Sequence, residues 1–488
     1  MLNKCETSHA RCQALSSKPL PSRLVHIPSD YLSSQQVRLY VTPKEGQLGR
    51  YVALSYCWGG PQTFSLKQDN LDRLQHEATH ASALPQTLQD AILVTHHLGF
   101  EYLWIDALCI IQDSAEDKWR EIAEMQNTYQ SAAVTVAAAT ASAVDQGFLN
   151  TTTKFSSRYT FCSVPMTLTN GTRGEQLKGT LTISPQHIQN TKDFPINKRG
   201  WTYQEALLSP RLLVFGDLEP FLRCRTKEAT LPAPSCIAYD ARKIEPPRFA
   251  NEMQSGGGYS VLDEDGASID LRLEFQWPRL VEQYTQRELG LMEDRPHAIA
   301  GVVNALARIT GDACWWGVWR SCAVACLLWA VDSEEGSARV PGAGGGVPTW
   351  SWMSVTAPVE LSRVQCMKEP EATVEWDDGA DLSAKRLFMS CRVVEEWEVV
   401  SASPGRPALL LQWELDVGEI GPIPQGDWRR PAVGEPVSFL VVARQVDQTL
   451  LALVATSAGD GIYHRRGIAE LKSSPVITSK PRQSIILE

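Results

Sequence analysis

The sequence predicts an α/β fold: an N-terminal domain built on a mainly parallel sheet, a helical region after it, and a small β-rich C-terminal region. Three observations carry that expectation. Short apolar runs rich in β-formers, "YVALSYCWGG" (51–60), the opening of "EYLWIDALCI" (101–110) and "AAVTVAAAT" (132–140), alternate with helical patterns at 84–100 and 113–129. Strand, helix, strand, helix, strand is the pattern of right-handed crossovers between parallel strands. Next, 270–331 reads as helical and strongly apolar, and from about 366 the runs "LFMSCRVV", "ALLLQWEL", "SFLVVARQV" and "LLALVAT" suit an antiparallel sheet or barrel. The implied division is an N-terminal extension over 1–39, an α/β domain over 40–230, a mainly helical region over 231–365 and a β-rich region over 366–488.

Each element has a local cause. In "LPQTLQDAILVTHHLGF" (84–100), Pro85 suits a helix start, the apolar residues Leu88, Ala91, Ile92 and Leu98 follow the helical period, and Gly99 makes a stop. In "DSAEDKWREIAEMQNTY" (113–129), Ser114 and Asp117 form a capping-box pattern, and Trp119, Ile122, Met125 and Tyr129 make one stripe. The closing Gly-Gly of "YVALSYCWGG" marks a turn after the first strand. Farther on, "SGGGYS" (255–260) and the "GAGGG" stretch of 337–350 read as loops, and Trp350 and Trp352 as structural aromatics.

Composition narrows the classes of function. With 488 residues, 43% hydrophobic and 21% charged, the chain has ample material for a buried core. A formal charge of -10 and no basic block longer than "YHRRG" (463–467) argue against a nucleic-acid partner. The first 28 residues lack the apolar core of a secretory signal, and the longest charge-free apolar run, Cys322 to Val331, is too short to span a membrane, so a cytoplasmic protein is expected. Glycosylation sequons at Asn150 and Asn170 carry no weight in that setting. Twelve cysteines without a C-x-x-C pair suggest neither a disulfide framework nor a metal centre, and Cys322 and Cys326 read as core on an apolar helix.

Parallel sheets bind ligands beyond the carboxyl ends of their strands. That rule singles out Ser55 to Gly59, Asp106 to Cys109 and Thr140 to Ser142, where polar residues collect. Cys109 invites a nucleophile reading, with His96 and His97 upstream, but "THHLG" reads better as the last turn of a helix, where imidazoles favour the negative dipole end, and a core thiol is the alternative. Cys57 reads as a small buried residue, and Ser55 lacks a G-x-S-x-G elbow.

The quoted segments also carry a resemblance. "YVALSYCWG", then "LPQTLQDAILVTHHLGFEYLWIDALCIIQDS" with "WREIAEMQNTYQSAAVTVAAA", then "RGWTYQEALLSPRLLVF" (199–215) resemble, in order and spacing, the three blocks of the fungal heterokaryon-incompatibility (HET) domain family. Weaker similarity continues through "DRPHAIAG", "VPTWSWMSV" and "GIYHRRGI". The resemblance implies a cytoplasmic trigger of programmed cell death in the non-self response and, through a suggested distant relation to TIR domains, a TIR- or flavodoxin-like fold and NAD hydrolysis. Ile111 and Ser114 stand where Asn and Asp are frequent, while Asp106, Cys109, Gln112 and Asp113 keep the pattern of the second block, and Arg199, Trp201, Gln204, Glu205 and Arg211 that of the third.

Asp106, Glu205 and Cys109 are therefore the candidate catalytic residues, and Ser55, Trp58, Gly59, Gln112, Asp113, Arg199, Trp201 and Gln204 the candidate ligand contacts; no metal site and no particular cofactor is implied. Glu205 suits a general base or the stabilisation of a cation, Arg199 a bidentate grip on an anion, and Trp201 stacking. The competing reading makes Arg199 and Glu205 a buried scaffold paired with Asp106, Asp113 or Arg211. Three functions follow: an enzyme cleaving NAD or another nucleotide, a signalling module acting on an incompatibility partner by association, and an enzyme of fungal small-molecule metabolism on a HET-like scaffold.

Overall fold

In the computed structural model, the described residues are 2–9, 12, 17–43, 46–149, 162–169, 176–183, 194–216, 220–224, 228–230, 260–262, 268–270, 273–331, 347–361, 367–375, 386–399, 409–410, 436–471 and 473–488. Asn150, Asn170, the glycines at 256–258 and those at 342 and 344–346 lie outside them. The chain divides into two compact units, Met1–Arg248 and Phe249–Glu488.

The first unit opens with helix α1 (Leu2–Ser8), followed by strands β1 (Arg23–His26), β2 (Gln36–Val41), β3 (Val52–Ser55) and β4 (Thr79–His80). Helix α2 (Gln86–His97) leads to β5 (Tyr102–Trp104) and the short helix α3 (Asp106–Cys109), and helix α4 (Ala115–Ser131) leads to β6 (Val134–Ala138). Helix α5 (Thr202–Leu208) precedes β7 (Arg211–Phe215), β8 (Phe221–Cys224) and β9 (Glu228–Thr230). These nine strands form one sheet in the order β9-β8-β7-β6-β3-β5-β1-β2-β4.

The three strands read from the sequence do share that sheet, and they run parallel: Leu54 pairs with Val136 and Ala53 with Trp104. β7 adds a fourth parallel strand beside β6. The expectation of a mainly parallel sheet nevertheless needs correction. β1, β2 and β4 on one side, and β8 and β9 on the other, add antiparallel pairings, so the sheet is mixed around a parallel centre. The physical reason lies in the connections. Helices α2 and α4 are crossovers that return the chain in the same direction, whereas the short links between β1 and β2 and between β7 and β8 can only reverse it.

Burial follows from position. β3 and β6 are covered on both faces, so Val52, Leu54, Val134 and Val136 are all 1% exposed or less. Ser114 caps α4 by accepting the Asp117 N–H, as its pattern predicts. The α4 stripe begins later than expected, because Trp119 is exposed while Met125 and Tyr129 are buried. Buried Arg23 of β1 fastens this helix to the sheet: it donates to Asp117 at 2.6 Å, to Glu121 at 3.2 Å and to the Cys109 carbonyl at 2.6 Å. A buried guanidinium is tolerable there because its donors meet acceptors.

In the second unit, the region expected to be mainly helical contains helices α6 (Leu273–Thr285) and α7 (His297–Thr310) but also short strand pairs, Cys314–Trp315 with Val318–Trp319 and Ala330–Val331 with Val359–Glu360. Tryptophan indoles interrupt the helical period there and pack on one another: Trp277 meets Trp319 edge-on at 5.5 Å and Trp352 at 6.2 Å. Trp350 and Trp352 are fully buried, in the structural role expected of them. The C-terminal strands Leu387–Val399, Pro436–Gln445, Leu450–Gly459, Ile462–Leu471 and Arg482–Leu487 pair in succession, and the last pairs back onto the first, closing a barrel-like ring. Closure removes the exposed edges that such long apolar strands would otherwise present.

Candidate functional site

The site forms where β3 and β5 end. Ser55 is the last residue of β3, and Tyr56, Cys57 and Trp58 leave the sheet after it; Asp106 follows β5 after Ile105 and begins α3. The Trp58 indole Nε1 donates to Asp106 Oδ2 at 2.8 Å, and the Ala107 N–H donates to Oδ1 at 2.7 Å. Gln112 closes the same turn by donating to the carbonyls of Asp106 at 3.0 Å and Ile110 at 3.1 Å. The Asp106 backbone and carboxylate are thus fixed before any ligand arrives.

Arg199 reaches the strand ends from the other side, where Nη1 donates to the Tyr56 carbonyl at 2.8 Å. Thr202 secures the start of α5 by donating to the Arg199 carbonyl at 2.9 Å. Ser209 secures its end, donating to the Glu205 carbonyl at 2.6 Å and sharing a hydrogen bond with Thr135 of β6 at 2.6 Å. One turn into α5, Gln204 and Glu205 are turned inward and are 2% and 6% exposed. The segment is a helix start, but its first turn is buried.

Electrostatics show that the parts form one cluster. Burial pushes the Glu205 carboxyl up to about 7, and the nearby Asp106 charge adds to the rise, while the Ser55 hydroxyl, Arg199 and Tyr129 oppose it. Asp106 is also raised, by burial, against the Tyr56 hydroxyl, Arg199, Trp58 and the Ala107 N–H, which favour its ionised form. Two carboxyl groups that sense one another and share a guanidinium cannot both ionise freely. Tyr129 donates its single hydroxyl proton to the Leu54 carbonyl at 3.0 Å. An ionised Glu205 would compete for that proton, which is how Tyr129 opposes the rise. The Tyr56 hydroxyl is buried near Asp106 and favours its ionised form.

Exposure is graded across the cluster. Asp106, Trp58, Arg199, Trp201 and Gln112 are half-buried, while Ser55, Tyr56, Gln204, Glu205 and Tyr129 lie beneath them. Gly59 is exposed with φ of 73°, and a Cβ there would lie 2.2 Å from the Ala143 Cβ, so the tight turn needs glycine to let the loop after β6 approach. Asp113 points elsewhere: it is exposed and accepts from the Gln68 N–H at 2.9 Å. Cys109 is fully buried, with its Sγ accepting from the Ile105 N–H at 3.4 Å, and burial pushes its thiol up to about 12. It remains a thiol at neutral pH, under the site rather than in it. Arg211 is also elsewhere, at the amino end of β7, where it donates to the Cys12 carbonyl at 2.6 Å.

The span that supplies every member of the cluster decides the family comparison. Residues 51–205 match the model of the heterokaryon incompatibility protein (HET) family. The HET match starts at Tyr51, just before β3, and ends on Glu205 itself, so it encloses Ser55, Tyr56, Trp58, Asp106, Tyr129 and Arg199 but not Arg211. No curated protein and no solved structure matches the chain.

Tyr56 and Tyr129 were not among the residues singled out in the sequence. Tyr129 looked like one more apolar position on the α4 stripe, and the signal available for Tyr56 was its place directly after a strand whose end carries polar residues.

Proposed function

We propose that the HET domain is the effector part of a cytoplasmic non-self response that triggers cell death, and that it works by cleaving the N-glycosidic bond of NAD or a related nucleotide. The observation that carries this reading is the pair of mutually sensitive carboxyls at the parallel strand ends, one of them raised to about 7 by burial. Pairs of titratable groups driven apart in pKa mark acid and base roles.

In this reaction the C1′–N bond breaks, its electron pair leaves with nicotinamide, and the ribose passes through an oxocarbenium-like state. Asp106, fixed by hydrogen bonds from Trp58 and Ala107, would face that developing positive charge. Arg199, half-buried, suits the nucleotide phosphate, and Trp58 or Trp201 offers an apolar ring face. Water then adds its oxygen to C1′, and its proton passes to a carboxylate. Glu205, near neutrality in its titration, exchanges protons with the site.

A second reading rests on a specific observation: Glu205, Gln204 and Ser55 are each under 10% exposed. In that case the cluster is a scaffold that shapes a surface for a partner protein. Nicotinamide release from NAD by the purified full chain separates the two. Release by the wild-type chain, lowered by roughly 100-fold or more in Glu205→Gln with the fold intact by circular dichroism, is the expected result. No release above the uncatalysed rate, or equal release by the variant, would favour the scaffold.

A further inference from the structure

At the opposite, amino ends of the parallel strands a second cluster of reactive side chains comes together. The segment "CETSHARC" (5–12) places Cys5, His9 and Cys12 at i, i+4 and i+7, and Cys224 comes from the end of β8 more than 200 residues later. The potential ligand atoms of these four residues all lie within 4.8 Å of one another. His9 Nδ1 is 3.4 Å from Cys224 Sγ. A tetrahedral zinc ion with Zn–S near 2.3 Å and Zn–N near 2.0 Å needs ligand-to-ligand edges of about 3.5–3.8 Å, so this quartet already approximates one.

The surroundings point the same way. Arg211 is fully buried and sits directly opposite Cys224 across the β7–β8 pairing. Its Nε donates to Cys5 Sγ at 3.2 Å, Nη2 to the Cys12 carbonyl at 2.6 Å and Nη1 to the Ala133 carbonyl at 3.1 Å. Three thiolates, a neutral imidazole and Zn²⁺ sum to one negative charge, and a guanidinium hydrogen-bonded to a ligand sulfur balances it from the second layer of contacts. A disulfide would use two of the three sulfurs, whereas a zinc ion engages all three; Arg211 also lies 3.7 Å from the Glu6 carboxylate.

We propose that Cys5, His9, Cys12 and Cys224 bind one structural zinc ion that clamps the N-terminal segment to the β7–β8 hairpin. Four protein ligands leave no open position, which marks a structural rather than a catalytic centre. The clamp also gives Arg211 a role separate from the Asp106 and Glu205 site, since it organises the ligands from behind.

The test uses the full chain purified under reducing conditions from zinc-supplemented medium. Elemental analysis should find about one zinc per chain in the wild type and in Cys314→Ser, a cysteine outside the cluster, and at least a tenfold lower content in Cys12→Ser and in Cys224→Ser. Cobalt replacing zinc in the wild type should give tetrahedral ligand-field and thiolate charge-transfer bands, a readout that does not depend on the variants folding. Arg211→Gln should keep the spectrum but lose zinc to a competing chelator at about 10–100-fold weaker affinity. A wild-type chain that takes up neither zinc nor cobalt, a native disulfide between any two of the three cysteines, or full zinc content in Cys12→Ser would overturn the proposal.

Discussion

At the scale of single residues, Glu205 makes a claim about stability as well as chemistry. Its carboxyl, ordinarily at 4.5, is raised to about 7 in the folded chain, so folding favours its protonated form. The stabilisation is complete below about 4.5 and is lost as pH rises through 7, because there the unfolded chain has released a proton that the folded chain still holds. A shift of this size corresponds to roughly 3 kcal/mol. The neutral isostere in Glu205→Gln has no such proton to lose. Denaturant midpoints should therefore be similar for the two proteins near pH 4, with the variant more stable by roughly 3 kcal/mol at pH 8. Parallel pH profiles would mean that Glu205 is not titrating in this range. Asp106 is raised in the same sense, and its contribution remains in both proteins. Arg199 and Trp58 oppose the rise at Asp106, and Arg199, Ser55 and Tyr129 oppose it at Glu205.

At the scale of elements, the turn after β3 tests how tightly the site is built. Gly59 has φ of 73°, and an added Cβ would meet both the Cα and the Cβ of Ala143 inside 2.5 Å. Gly59→Ala combines backbone strain with a clash against main chain, and should cost roughly 2–4 kcal/mol in chemical denaturation. A loss below about 0.5 kcal/mol would show that the loop after β6 can simply move aside. The same elements show what was legible beforehand. β3, β5 and β6 could be read because each is a short apolar run between capped helices, and their parallel pairing followed from the crossovers. The antiparallel flanks could not: β1 and the start of β2 lay in the stretch read as an N-terminal extension, and β7 lay behind the helix start of the residues before it. In the site, Asp106, Arg199 and Glu205 stood out because charges in apolar surroundings are conspicuous. Tyr56 and Tyr129 did not, since a phenol in a hydrophobic stripe looks like core until its hydroxyl is placed. The cysteines at 5, 12 and 224 were passed over for want of a C-x-x-C pair, although the C-x3-H-x2-C spacing of Cys5, His9 and Cys12 can itself supply metal ligands.

At the scale of the whole molecule, each unit has its own buried core. In Met1–Arg248 it is the cluster around Val52, Leu103, Val134 and Val136, and in Phe249–Glu488 it includes the barrel-like cluster around Phe439, Val441, Ala452 and Val454. Chains of about 240 residues bury enough surface to fold cooperatively on their own. That predicts two calorimetric transitions, and paired substitutions can assign them. Gly59→Ala acts on the first unit. Gly317→Ala acts on the second, because Gly317 has φ of 83° and a Cβ there would lie 2.3 Å from the Trp352 Nε1, inside the packed indole group. Each substitution should lower one transition by roughly 5–15 °C and leave the other in place, with the two variants moving different transitions. If both variants lower the same single transition, the units melt as one cooperative body, and the strain at Gly59 is carried by the whole chain rather than by the sheet that holds the site.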